Sequence, residues 1–184
     1  MERLERDAIL IRLIEALRKE GSWCGETHVQ KATYFLQAMV DVPMGFEFIL
    51  YKHGPFSFDL RDELAAMRAD GLIALSVQNP SYGPSIVPDE ATATALKNRY
   101  PKTLGQHEGS IAFVVKRLRD KPVVDLERLA TAYFVSREIE RSGDAHARAK
   151  RVNELKPHIS VEEAFEAIQS VDSWDHEAKS LKQP

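Results

Sequence analysis

Apolar residues return every three or four positions through most of this 184-residue chain, and that spacing gives way to β-type residues in only two places. The first run, residues 4–20, carries Leu10, Leu13, Ile14 and Leu17 on one face and Glu5, Arg6, Arg12, Glu15 and Arg18 on the others, and Gly21 ends it. A second helix follows, opened by Thr27-x-x-Gln30 read as a capping box and running to Val40, with Val29, Ala32, Phe35, Leu36 and Met39 apolar. Pro43 and Gly45 stop it. A third is capped by Ser57, takes Asp59 and Asp62 in its first turns, and holds Leu60, Leu64 and Met67 up to Gly71.

The two β-type stretches flank that third helix. Residues 46–51 are rich in aromatic and aliphatic side chains and read as a short strand, with Lys52 to Phe56 as a tight connection. Residues 72–77 and 85–87 read as a hairpin around the turn Asn79-Pro80-Ser81-Tyr82-Gly83-Pro84. Beyond Pro88 the pattern is helical again: a segment capped by Asp89, a helix over 104–119, one after Asp125, one over 144–155, and one capped by Ser160-x-x-Glu163. The expected fold is mainly α with a small β-component: a winged helix-turn-helix N-terminal half (residues 1–88), a helical C-terminal half packed on it (89–176), and a tail (177–184). The core should unite Leu13, Leu17, Phe35, Leu36, Leu64 and Ile73.

Composition closes off several classes. A hydrophobic fraction of 43% and a charged fraction of 29% are those of an ordinary globular chain. A lone cysteine, Cys24, forms no internal disulfide and the first residues are too charged for a secretory signal, so the expected location is the cytoplasm. No apolar run is long enough to span a bilayer. The net charge of −3 gives no global attraction to nucleic acid.

Several stretches carry a resemblance: Gln30-Lys31-Ala32-Thr33-Tyr34-Phe35-Leu36-Gln37, then residues 46–50, Tyr51-Lys52-His53-Gly54-Pro55-Phe56-Ser57, and Ala69-Asp70-Gly71-Leu72-Ile73. Together they resemble the YwgA-like group and, more distantly, the Panacea (SocA-like) antitoxin domains, which share a lysine-led second helix, a Lys-x-Gly-Pro turn and a short helix before Gly-Leu-Ile. Leu126-Glu127-Arg128-Leu129-Ala130-Thr131 and Glu154-Leu155-Lys156-Pro157 are also similar to YwgA-like chains. The resemblance implies a protein-binding module in a toxin-antitoxin or defence setting, with a toxin or effector as its partner.

The residues themselves assemble no enzyme. Cys24-x-x-x-His28 offers two metal ligands where zinc needs three or four, so no metal is expected and the thiol reads as a bystander. His53 has no nucleophile or carboxylate that the sequence places beside it and reads as a turn residue; His107, His146, His158 and His176 read as surface residues. No phosphate-binding glycine motif occurs, and no cofactor is expected. DNA binding by the third helix and wing is disfavoured, because Asp59, Asp62, Glu63 and Asp70 outnumber Arg61 and Arg68 and residues 78–86 contain no Lys or Arg. Basic residues collect instead at 97–121 and 148–156, which keeps a DNA-binding regulator as the alternative function, though solvated helix faces explain them more simply. The expected function is therefore non-enzymatic protein interaction, with Tyr51, Lys52, His53 and Phe56 as partner contacts: aromatic residues and a cation on a stiff Gly-Pro turn suit a binding hot spot, and the equal alternative is structural, with Phe56 plugging the core beneath the third helix and Tyr51 ending its strand.

Overall fold

A computed structural model describes residues 1–77, 83–139 and 143–181. In chain order the described elements are α1 (Arg3–Lys19), α2 (Glu26–Ala38), β1 (Ile49–Tyr51), β2 (Gly54–Phe56), α3 (Phe58–Ala69), β3 (Ile73–Ser76), β4 (Ser85–Pro88), α4 (Glu90–Arg99), α5 (Pro101–Leu118), α6 (Val123–Phe134), a π-helical turn at Val135–Ile139, α7 (Ala145–Leu155) and α8 (Val161–Leu181). The fold is mainly α with a small β-component: two antiparallel sheets of two strands each, β1–β2 and β3–β4.

The chain forms two compact units, Met1–Phe48 with Ser57–Lys121, and Ile49–Phe56 with Pro122–Pro184. The division expected at residue 88 thus falls after Lys121, and α4 and α5 belong with the first unit. In that unit α1 is the central helix: Ala8, Ile9, Leu10, Ile11, Leu13, Ile14 and Leu17 are all buried, and α1 packs on α2, α4, α5 and β4. Leu13, Leu17, Phe35, Leu36, Leu64 and Ile73 are buried as expected, each removal of such a side chain from water contributing roughly 1.5–3 kcal/mol.

Local chemistry decides where elements start and stop. Ser57, Asp89 and Asp144 cap their helices by accepting from the backbone N–H of Leu60, Thr92 and Ala147, and the Ser160/Glu163 box forms in both directions. Gly21 and Gly71 take left-handed φ angles of +87° and +71° just past α1 and α3. The Thr27/Gln30 capping box does not form: α2 starts after Gly25 without a side-chain cap, and the Gln30 amide bonds Ser57 instead. The tail expected at 177–184 is helical as far as Leu181, because α8 continues past the apolar residues that suggested its end.

The ribbon β3–β4 runs in register from Ile73↔Pro88 to Ser76↔Ser85, and the Asn79, Pro80, Ser81 and Tyr82 part of its expected turn lies outside the described residues. A third extended segment joins it. Gly25 bridges Ser85 and the Ile86 N–H donates to Cys24 O at 2.9 Å, so the added segment lies between α1 and α2. The strand expected at 46–51 shrinks to Ile49–Tyr51 and pairs with residues 54–56, read beforehand as connection only. Phe46 leaves the ladder because its N–H and C=O are both taken by the Gln37 amide.

Candidate functional site

Hairpin β1–β2 lies in the second unit, where β2 packs against α6. Its register is Ile49↔Phe56, Leu50↔Pro55 and Tyr51↔Gly54, which leaves Lys52 and His53 at the tip. Neither tip residue has positive φ; the left-handed conformation falls on Gly54 at φ +81°. A glycine takes that angle at no steric cost, which is why Lys52-His53-Gly54 turns where a run of L residues would resist. The side chains of Ile49, Tyr51, Lys52 and His53 are exposed, and the Tyr51 and Phe56 rings pack at a centroid distance of 5.8 Å.

The tip is held from behind by residues far away in sequence. Lys156, at the C-terminal end of α7, donates from Nζ to the backbone carbonyls of Tyr51 and Lys52. Glu127, on the buried face of α6, places Oε2 3.2 Å from His53 Nδ1 and Oε1 3.1 Å from His158 Nε2, with Lys156 Nζ 3.9 Å away. The side chains of Glu127 and Lys156 are only 9% and 10% exposed, whereas those of His53 and His158 are 69% and 58% exposed. The link carrying His158 is itself braced: Asn153 Nδ2 donates to Ile159 O at 2.7 Å, and the Ile159 N–H to Lys156 O at 2.9 Å.

Electrostatics follows from that arrangement. Burial pushes the Lys156 ammonium below its ordinary value, and the Glu127 charge opposes the shift. A carboxylate can only accept, so each imidazole presents an N–H to Glu127, and a neutral His53 carries its lone pair on Nε2. Glu127 thus fixes the rings of two histidines while Lys156 fixes the backbone between Tyr51 and Lys52. The cluster combines oriented imidazoles with exposed apolar and cationic side chains.

Of the four contacts expected from sequence, Tyr51, Lys52 and His53 stand together on the tip, and Phe56 is half-buried beside Tyr51. His53 does have a carboxylate partner, which sequence reasoning did not supply because Glu127 is 74 residues away. Glu127, Lys156 and His158 were missed as site residues. The one available signal was that Glu127 and Lys156 fall inside the two later stretches that carry the resemblance.

Other candidates separate from this cluster. Cys24 is buried at a left-handed φ of +53°, and burial pushes its thiol up to about 12. His28 is buried too, its pKa lowered by burial against a hydrogen bond to the Lys121 backbone. His107, read as a surface residue, is buried on α5 with its pKa lowered by the same effect. Among the described residues no group of three His, Cys, Asp or Glu side chains is placed to hold a metal ion, and no helix is long and apolar enough to cross a membrane.

The basic stretches are largely engaged within their own units. Lys97 pairs with Glu15, Arg119 with Glu20 and Arg151 with Glu154, while Arg148 makes a two-pronged bond to Asp172. Arg99 lies 5.5 Å from the Tyr100 ring centroid. Compared with models of protein families and with curated protein sequences, the chain matches none.

Proposed function

We propose that this chain is a non-enzymatic protein-interaction module of the antitoxin or adaptor kind it resembles, and that it grips a toxin or effector through Tyr51, Lys52 and His53, with Phe56 backing Tyr51. One observation carries the reading: Lys156 ties the Tyr51 and Lys52 carbonyls, so the exposed side chains sit on a backbone already fixed before a partner arrives. Preorganisation of that kind lowers the ordering cost of association. Further support is that the stretches behind the resemblance, 51–57, 126–131 and 154–157, each send a residue to this one cluster. We read α1 to α3 with the β3–β4 ribbon as a winged helix serving as scaffold, in a cytoplasmic protein.

The DNA-binding alternative has less behind it. Ion pairs occupy Lys97, Arg119, Arg148 and Arg151, and α3 keeps Asp59 and Asp62 exposed. The test is Lys52→Glu in the full chain, with the partner captured from host lysate by the tagged wild type, identified and purified. Reversal of an exposed charge should leave the melting temperature unchanged and weaken binding tenfold or more. A variant that melts and binds like the wild type removes the hairpin tip from consideration.

A further inference from the structure

The charges between α1 and α3 are unequally shared. From α1, Arg3 Nε donates to Glu63 Oε1 at 2.7 Å and Arg6 Nη2 to Glu63 Oε2 at 2.5 Å; Arg3 Nη2 also donates to Asp70 Oδ2 at 2.8 Å. Both oxygens of Glu63 are therefore taken. Asp7 lies one turn beyond Arg3, its side chain wholly buried, and neither of its oxygens accepts a hydrogen bond. Its cationic neighbour, Arg3 Nε, stands off at 3.8 Å. A cleft of about 410 Å³ opens beside this group, lined among others by Arg3, Arg6, Phe46, Asp59, Asp62 and Glu63.

Arg3 and Arg6 thus face two buried carboxylates and give their hydrogen bonds to Glu63 and, from Arg3, to Asp70, but none to Asp7, while Arg6 Nε is buried without a partner. An ionised Asp7 would be a buried anion without a bond, next to a second anion, which is costly on both counts. Burial first, then the Glu63 charge, push the Asp7 carboxyl up to about 7 against the pull of Arg3 and Arg6. Burial also works to raise Glu63, but its bonds from Arg3 and Arg6 outweigh it and leave Glu63 below the usual carboxylate range. The proton held by the pair accordingly sits on Asp7.

We infer that Asp7 and Glu63 form a proton-operated latch between α1 and α3. With Asp7 protonated, Arg3 and Arg6 serve Glu63 and hold the two helices together. Once that proton leaves, Asp7 becomes a second buried anion competing for the same guanidinium groups, and the latch slackens. From the α3 side Asp59 and Asp62 line the same cleft and add negative potential, while Asp70 shares Arg3. On the other faces of α1, Glu5 accepts from Thr103, Arg12 bonds Glu108 and Glu15 holds Lys97, so these charges are already engaged.

The sign of the pH dependence is opposite to that of an ordinary salt-bridged aspartate. The folded chain binds the Asp7 proton more tightly than the unfolded chain, whose aspartates titrate near ~3.9. The latch therefore contributes fully at the acid end, weakens as pH rises, and is lost above about 7. His28 and His107, whose pKa values burial lowers, tilt stability the other way below their ordinary range, so the comparison must be between wild type and Asp7→Asn.

Thermal melts of the full chain from roughly pH 5.5 to 8.5, together with carbon-13 NMR titration of the Asp7 carboxyl, test the latch. Asp7 should titrate about two pH units or more above a free aspartate, and the melting temperature of Asp7→Asn should gain on the wild type as pH rises, levelling off above about 7. Glu63→Gln should bring the Asp7 titration down, whereas Asp59→Asn should shift it far less. An Asp7 carboxyl titrating in the ordinary range, or a wild-type-to-variant difference that is flat with pH, overturns the latch; if Asp7→Asn fails to fold, the wild-type titration decides alone.

Discussion

Gln30 and Gln37, seven residues apart on α2, make the same gesture: each closes its side-chain amide on the backbone of a single residue, accepting its N–H and donating to its C=O. Gln30 does this to Ser57 at 3.0 and 2.9 Å, and Gln37 to Phe46 at 2.9 and 2.8 Å. Two helical turns span about 10.5 Å, so α2 spaces the two points between which the chain leaves the first unit and returns to it. Gln30 and Ser57 are fully buried, so the Ser57 peptide unit is cut off from bulk water. Gln30→Ala should accordingly cost on the order of 2–4 kcal/mol, and Gln37→Ala about 1–2 kcal/mol at its more exposed site. Urea denaturation measures both, and equal losses would contradict the difference in burial.

Leu36 carries the core prediction. It is fully buried on α2, and Leu36→Ala should lower stability by roughly 2–5 kcal/mol, the usual cost of a cavity of that size. An unchanged denaturation midpoint would mean that the site lies outside the cooperative core.

Lys156 is a different kind of anchor, because its ammonium satisfies two carbonyls and sits near a buried carboxylate. Lys156→Met keeps the apolar stem and deletes the bonds, so stability should fall on the order of 2–3 kcal/mol. Amide hydrogen exchange at Tyr51, Lys52 and His53 should accelerate at the same time. Faster exchange everywhere except the tip would argue that Lys156 serves α7 and not the hairpin.

Cys24 should be chemically quiet. Its thiol is buried and pushed up to about 12, so almost no thiolate exists near neutral pH. A disulfide reagent such as dithionitrobenzoate at pH 8 should label the native chain only at the rate of opening, and at once in denaturant. Rapid labelling of the native chain would show that the segment between α1 and α2 is open to solvent.

Much of the fold was legible because helical periodicity and capping are local. Ser57, Asp89, Asp144 and the Ser160/Glu163 pair cap as their spacing implies, and the apolar faces of α1 and α2 are buried where the pattern puts them. Local reading failed where a side chain serves a distant backbone. Thr27-x-x-Gln30 has the form of a capping box, yet a buried Ser57 peptide unit competes for the same amide and wins, since leaving it unpaired costs more than losing a solvent-exposed cap. The site divided the same way. Tyr51, Lys52 and His53 stood out as a turn, whereas their supports, Glu127 and Lys156, lie 74 and 104 or 105 residues away and look in sequence like ordinary helix charges.

The second unit is built from pieces that the ribosome makes at different times. Residues 49–56 emerge early, but α6, against which β2 packs, begins only at Val123. At a synthesis rate of about 5–20 residues per second the hairpin waits several seconds for its support, and the hydrogen bonds from Lys156 come later still. A released chain that ends at Lys121, and so contains all of the first unit, should thus leave the β1–β2 segment open to protease while the first unit's helices are already protected. A fragment starting at residue 122 should lack the surface that completes α6, and so mark this unit as one that cannot be cut from the chain at a single point.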